Sequence, residues 1–328
     1  MNIAKLNRRQ ALYATALVGT ASLLDYRQLF ASPKPQGQTP PLSTQEITSI
    51  ETALGKKGNY IQEQAVHNIS LPRNDLKVTV KGEPVPIPFG FGGWVAIKKT
   101  TDGKSAVLMS DTVLLQEEVN PLISAAQANG LEVSAIHNHF FYEEPRIFYM
   151  HVHGMGEPTD LAKRYAAAIK GTKLLPANQP KTTGASQKTG KELFDLPKLD
   201  AIVKHKGTVN GPTYKYTVGR DDLNVMAMGA ELTTAMGLNS WASFAGTQDK
   251  AHIAGDIAML EQEVNPVIKA LRQNNLEVVA VHNHMLGDDP RMVFLHYYGQ
   301  GPAPQLAQGF RAALNELGRH GKRDMMKH

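Results

Sequence analysis

Apolar and polar residues alternate with a period of two over residues 60–70 and 76–80, the pattern of half-buried strands. Residues 94–97 and 106–115 are denser apolar runs joined by the turn Thr101-Asp102-Gly103, and they read as two further strands. A helical period appears three times. Ser43-Thr44-Gln45-Glu46 has capping-box spacing, which predicts a helix over residues 46–54 that Gly55 stops. A second helix spans residues 117–129, with Pro121 in its first turn and Gly130 after its end. The third, residues 158–170, sets Leu161, Tyr165, Ala168 and Ile169 on one side. Pro84, Pro86 and Pro88, then Gly90, Gly92 and Gly93, interrupt the chain between the early and later strands.

The plan then recurs. Residues 199–205 read as a shorter opening helix, and residues 214–218 and 223–228 as early strands. Trp241 answers Trp94 at an offset of 147, and residues 251–301 answer 106–156 at an offset of 145 with 22 identities in 51 positions. Self-similarity on this scale means two copies of one domain. The expected fold is α+β: two tandem homologous domains, each an antiparallel or mixed sheet with helices on one face. They cover residues 44–171 and 197–319. Residues 32–43 and 172–196 are linkers, the second with a non-periodic Thr/Lys/Pro/Gly/Gln-rich stretch over residues 171–191, and residues 320–328 are a basic tail.

The strongest chemical signal lies inside the repeat. His137-Asn138-His139, Glu143-Glu144-Pro145-Arg146 and His151-Val152-His153 return as His282-Asn283-His284, Asp288-Asp289-Pro290-Arg291 and His296-Tyr297-Tyr298. Seven of the twelve histidines fall in these segments. Residues i and i+2 of a strand share a face. A hairpin centred on Pro145 sets His137 opposite His153 and His139 opposite His151, with opposed Cβ atoms about 5 Å apart. Such a cluster suits one first-row metal ion with Zn–N bonds of about 2.0–2.1 Å. The copy offers His282, His284, His296 and Tyr298. A slip by one residue would split the pairs between faces. The competing reading is hydrogen-bonded histidines on a sheet surface. Imidazole-rich sites suit Zn, Cu, Fe or Ni without choosing among them.

Glu143, Glu144, Arg146, Asp288, Asp289 and Arg291 are candidate catalytic groups, a carboxylate closing over the metal or acting as base and an Arg holding an anion. A polar turn with a local Arg–carboxylate pair is the plainer account. Asp111 and Asp256, each inside an apolar strand, read as acceptors for a ligand imidazole or as simple edge-strand or turn residues. Glu118 and Glu263 suit helix N-termini. Asn138 and Asn283 read as structural hydrogen-bonders.

Composition narrows the choices. The chain has no cysteine, which excludes disulfides, thiolate ligands and cysteine nucleophiles. Lys5, Arg8 and Arg9 precede an apolar run over residues 11–24, and Ala31 precedes a Pro-rich stretch, so residues 1–31 read as a signal peptide of twin-arginine type. An uncleaved anchor or an ordinary secretory signal is the alternative. Removing those residues takes away Lys5, Arg8, Arg9, Arg27 and Asp25, and the formal charge falls from +5 to +2. The basic balance is therefore no argument for nucleic acid, and no stable membrane span is expected after cleavage.

The doubled block Glu-Val-Asn-Pro, Leu-Glu-Val, His-Asn-His, Pro-Arg, His-x-x-Gly resembles the uncharacterised bacterial family that includes the mycobacterial lipoproteins LppY and LpqO, over residues 46–320. The resemblance implies an exported protein, often lipid-anchored, with a duplicated domain of unknown function. This chain has no cysteine to acylate, which favours a soluble periplasmic protein. The expected function is exported metal binding, as a carrier or as a metalloenzyme. A metal-free module that takes cell-envelope glycan or peptide on Phe140, Phe141, Tyr142, Phe148 and Tyr149 is the alternative.

Overall fold

A computed structural model describes residues 39–180 and 188–319. The expected signal peptide, the basic tail, residues 32–38 of the first linker and 181–187 of the second lie outside the described residues. The first repeat opens with helix α1 (Thr44–Leu54), where Ser43 and Glu46 close both bonds of the capping box and Gly55 ends the helix at φ 66°. Strands β1 (Asn59–Ile61), β2 (Val66–Pro72), β3 (Val78–Val80), β4 (Glu83–Val85), β5 (Gly92–Lys99) and β6 (Ala106–Leu115) follow. Helix α2 (Gln116–Ala128), strands β7 (Glu132–His137), β8 (Glu143–Glu144) and β9 (Ile147–Gly156), and helix α3 (Pro158–Ala168) complete it. The second repeat runs through α4 (Gly190–Leu193), α5 (Leu196–Val203), β10 (Thr208–Asn210), β11 (Thr213–Gly219), β12 (Met226–Ala227), β13 (Ala230–Glu231), β14 (Asn239–Gly246) and β15 (Ala251–Leu260). Helix α6 (Val264–Gln273), strands β16 (Glu277–His282) and β17 (Met292–Gly301), and helix α7 (Ala303–Leu314) end the described chain.

Each repeat builds one six-stranded antiparallel sheet, ordered β1-β2-β5-β6-β9-β7 in the first and β10-β11-β14-β15-β17-β16 in the second. Parity along the strands assigns the two faces. Ile69, Leu71, Val95, Ile97, Leu108 and Val152 face the helices and pack on Ile50, Leu54, Leu122, Leu161 and Tyr165. Tyr216, Phe244 and Ile253 do the same against Leu199, Leu271 and Phe310. The opposite faces meet each other. Val66, Ala96, Val107 and Met109 form one core with Leu238, Ala258, Met292 and Phe294, and Val113 and Tyr149 share another with Ala254 and Tyr298. The layers are therefore helix, sheet, sheet, helix. Both faces of β6 and β15 are covered, which explains why those strands are apolar almost throughout rather than alternating. Each fully buried Leu, Ile or Phe contributes about 1.5–3 kcal/mol.

Polar contacts fix how the two sheets meet. Lys81 pairs with Glu277 at 2.5 Å, and Glu83 pairs with Lys250 at 3.0 Å and His252 at 3.2 Å. Asn68 Nδ2 donates to the Ala235 carbonyl at 3.0 Å, and Asn283 Nδ2 to that of Ser134 at 2.9 Å. No helix among the described residues is long and apolar enough to cross a membrane.

The structure corrects several sequence expectations. β7 does pair with β9, but His137 lies opposite Tyr149, and His151 lies opposite Ala135, with a bulge after Val133. The expected opposition of His137 to His153 and of His139 to His151 is absent. The connection is no tight turn about Pro145. It is a nine-residue crossing over residues 138–146, in which Asn138 Nδ2 donates to the Ile147 carbonyl at 2.7 Å and Glu143-Glu144 pair with Val80 and Thr79 of β3. Pairing thus stops at His137. The shift is by an even number of residues, so His137 and His151 keep one face. The copy behaves alike: His282 lies opposite Phe294 and His296 opposite Ala280. The strand expected over residues 223–228 shrinks to β12, because Arg220 holds Asp222 in a salt bridge and accepts the Leu223 amide in a turn. The helix expected at residues 199–205 starts earlier, where the Asp195 side chain caps the Lys198 amide. Within the second linker, Leu174 joins the first core and α4 forms behind a Thr189–Glu192 capping box.

Candidate metal centre

The inner faces of both sheets carry the histidines, so the repeats bring them to one place rather than two. His137 and His282 close the equivalent edge strands β7 and β16, and their rings stack with centroids 3.7 Å apart. His139 lies 3.6 Å from His296, and His284 lies 3.6 Å from His151. Exchanging the repeats turns one of these two contacts into the other. Within a repeat, His137 stands 4.9 Å from His151, and His282 stands 4.8 Å from His296. The cluster therefore has approximate two-fold symmetry about a line between the sheets.

Three overlapping groups have their donor atoms within 4.8 Å of one another: His137, His151 and His282; His137, His139 and His296; and Asp256, His282 and His296. Two nitrogens on one tetrahedral ion with bonds of about 2.1 Å lie about 3.4 Å apart. Shifts of about 0.7 Å at each donor would close a separation of 4.8 Å to that value.

Tautomers are set by the backbone. Nδ1 of His151 donates to the Ser110 carbonyl at 3.3 Å, Nδ1 of His296 to that of Gly255 at 3.2 Å, and Nδ1 of His282 to that of Asn283 at 2.9 Å. Each bond leaves Nε2 as the unprotonated nitrogen. Nε2 of His151 lies 2.8 Å from Nε2 of His137. Six further ring nitrogens of the cluster are buried with no hydrogen-bond partner among the described residues: Nδ1 of His137, both nitrogens of His139, Nε2 of His282, Nδ1 of His284 and Nε2 of His296. Leaving a buried polar atom unpaired costs about 1–3 kcal/mol. Of these residues, His137, His139, His282 and His296 also belong to the three groups, and a metal ion fits that donor set.

Burial, and then the neighbouring imidazoles, hold His137, His139, His151, His284 and His296 well below the ordinary histidine range. Burial brings His153 and His282 down to about 4. The rings are neutral at pH 7, the form that ligates metal. Asp111 and Asp256 lie beside the cluster, each with a carboxylate oxygen 3.9 Å from Nδ1 of His151 or His296. Burial raises them to about 7 and about 8. Neither takes the imidazole proton, which goes to a backbone carbonyl instead.

Three expected ligands stand outside the groups: His284, whose ring packs 3.6 Å from that of His151, and then His153 and Tyr298. His153 Nε2 is 3.4 Å from the Ser134 hydroxyl, and the His153 ring is 6.3 Å from His284. The Tyr298 hydroxyl bonds to Nδ1 of His252 at 2.8 Å within an apolar core. The register explains both: His153 and Tyr298 sit opposite Glu132 and Glu277, one strand-length back from His137 and His282.

The acidic segments serve the crossing loops. Glu143 Oε1 accepts the Ile147 amide at 3.3 Å and lies 3.6 Å from Arg146, whose Nη1 donates to the Phe141 carbonyl. Asp288 accepts the Met292 amide at 2.6 Å, and the Asp289 backbone pairs with Met226. Glu144, Asp289 and Arg291 are exposed. These are local turn contacts, and Glu143 Oε2 and Asp288 Oδ1 remain buried with no hydrogen-bond partner among the described residues. The aromatic strand face does not form either: Phe140 and Tyr149 are in the core, whereas Phe141 and Tyr142 are exposed.

A cavity of about 530 Å³ adjoins the cluster, with His139, His284, Asp111, Asp256, Trp94 and Trp241 in its wall. Gly237, at φ 95°, lets the chain pass close by; a Cβ there would stand 3.1 Å from Nε2 of His284. The tryptophans were readable only as a repeated pair, because no local pattern marks a cavity. Arg73 and Arg220 also went unnoticed. Each is buried, donates to a strand carbonyl, and pairs with an aspartate two residues on and with Glu118 or Glu263. The repeated Arg-x-Asp was their signal.

Among solved structures, the chain is similar to EtuB from Clostridium kluyveri (8% identity, TM-score 0.22, covering 82% of this chain and 93% of that one). It is also similar to the trimeric bacterial microcompartment shell protein PduB (12% identity, TM-score 0.21, covering 80% and 93%). Similarity at that level establishes neither a common fold nor a common role. No curated protein matches. Residues 48–171 and 197–316 each match the family model described as Domain of Unknown Function (DUF1259), and the chain belongs to that family.

Proposed function

We propose that the protein binds one transition-metal ion between its two repeats. The observation that carries this reading is the gathering of buried, unpartnered imidazole nitrogens from both halves of the chain within reach of a single ion. The three groups share His137, His282 and His296 pairwise, so they describe alternative seats for one ion rather than three sites. The group of His137, His139 and His296 abuts the cavity through His139. Three protein ligands with a fourth position open to a cavity is the arrangement of catalytic metal centres, in which the ion activates water or polarises a substrate. A centre closed by four protein ligands would suit storage or delivery instead. An exported location, periplasmic or at the cell envelope, is part of the same proposal and rests on the signal-like composition of residues 1–31.

Elemental analysis of protein purified without a histidine tag tests it. Close to one equivalent of Zn, Cu, Fe or Ni per chain is expected, with a melting temperature that falls on chelation and recovers on reloading. Metal-free protein whose melting temperature does not respond to any of the four ions would sink the reading.

A further inference from the structure

We propose that the cavity between the two sheets takes a small monocarboxylic acid with a short or flat apolar body, held by its carboxylate on Lys215. The proposal deepens the metal reading, because the same cavity opens onto His139 and His284.

The cavity is built from equivalent positions of the two repeats. Trp94 answers Trp241, Asp111 answers Asp256, His139 answers His284, and Ser70 answers Thr217. Lys215 breaks the match, since its counterpart at the same offset as the tryptophans is Asn68. The asymmetry gives a near-symmetric cavity a direction, so a ligand with unlike ends binds one way round.

Lys215 is placed to receive an anion. Its strand neighbours Tyr214 and Tyr216 point to the helices, so Lys215 points between the sheets. Its Nζ sits over the Trp241 ring, 4.4 Å from the centroid. Among the described residues no carboxylate lies within ion-pair distance of that nitrogen and no hydrogen bond is made by it. Asp111 and Asp256 act on it only at longer range. A part-buried ammonium carries three donors, which open onto the cavity for a ligand to accept.

Size and lining select the rest of the ligand. A volume of about 530 Å³ is in the range of small-molecule sites. The two indoles, Ile87, Pro72 and Pro88 offer apolar surface. A single lysine, with no arginine in the wall, suits a monoanion better than a phosphate, which calls for several donors. A neutral sugar would leave the ammonium without its counter-charge.

Calorimetry with three probes on the full chain tests this: benzoate, its neutral isostere benzamide, and glucose. Benzoate is expected to bind at least about tenfold more tightly than benzamide, the worth of a hydrogen-bonded charge pair. Lys215→Asn, which restores the residue of the other repeat, is expected to abolish that preference while keeping the circular dichroism spectrum and melting temperature. Lys215→Arg is expected to keep it. Equal binding of benzoate and benzamide, tighter binding of glucose, no benzoate binding at millimolar concentration, or an unchanged preference in Lys215→Asn would each overturn the proposal. Running the series on chelated and on metal-loaded protein separates the two readings. A Lys215-dependent preference in protein that never takes metal leaves the acid pocket standing without the metal centre. Stoichiometric metal without the preference removes only the acid pocket.

Discussion

The rings of His137 and His282, 145 positions apart in the chain, stack with centroids 3.7 Å apart and planes 22° from parallel. Each closes the edge strand of its own sheet, so the contact exists only because the sheets pack inner face to inner face. The centre belongs to the pair of repeats and to neither alone.

Metal content should follow that geometry. One equivalent per chain is expected by plasma mass spectrometry, rather than the two that separate sites in each repeat would give. A ratio near two would show the repeats working independently.

The ligands are unequal. His137, His282 and His296 each belong to two of the three groups, and His153, His284 and Tyr298 to none. Replacing His137 with Ala should weaken metal binding about a hundredfold or more, since even changes behind the ligands cost 10–100-fold. His153→Ala should leave the dissociation constant within about threefold. Tyr298→Phe should leave metal binding unchanged and cost about 1 kcal/mol of stability through the lost bond to His252. A competition titration with a chromogenic chelator ranks the variants, and equal losses for His137→Ala and His153→Ala would contradict the placement.

The metal-free protein should weaken on both sides of neutrality. A histidine held below its ordinary 6.5 stays neutral in the fold while the unfolded chain takes up a proton. For His153 and His282 the contribution is therefore complete above pH 6.5 and is lost as pH falls toward about 4. Asp111 and Asp256 run the other way. Their raised values favour the fold at low pH, and that contribution is lost as pH rises through about 7 and about 8. Histidines outnumber the aspartates, so the melting temperature of chelated protein should peak near about pH 7 and drop most steeply on the acid side. A profile that is flat from pH 5 to 7 would argue against a buried neutral cluster.

Arg73 and Arg220 should matter for folding and not for metal. Arg73 Nη1 is 2.6 Å from Glu118, Arg220 Nη1 is 2.8 Å from Glu263, and both guanidinium groups are buried. Arg73→Met or Arg220→Met strands a carboxylate and should cost about 3 kcal/mol in urea unfolding. Metal affinity measured below the unfolding transition should be unchanged.

Much of the architecture was legible in the chain. The capping box at Ser43 and Glu46, the proline-led helix at Pro158 and the stops at Gly55 and Gly130 are local signals, and local hydrogen bonding decides them. The duplication is visible because both copies bury the same faces. The register of β7 on β9 was not legible. It depends on Asn138 and on the pairing of Glu143-Glu144 with β3, a strand more than sixty residues earlier. The counts about Pro145 assumed a tight turn, and that assumption placed His153 and Tyr298 with the ligands.

By itself the sequence determined the two-fold repetition, the α+β composition of each half and the concentration of imidazoles on one strand face, because periodicity and capping act over a few residues. Only the tertiary structure decided that the two histidine faces meet in a single cluster, that Glu143 and Asp288 accept amides of their own loops, and that Lys215 and its counterpart Asn68 line one cavity. Those relations join residues from different sheets, and the packing of one buried face against another, which no local pattern encodes, fixes them.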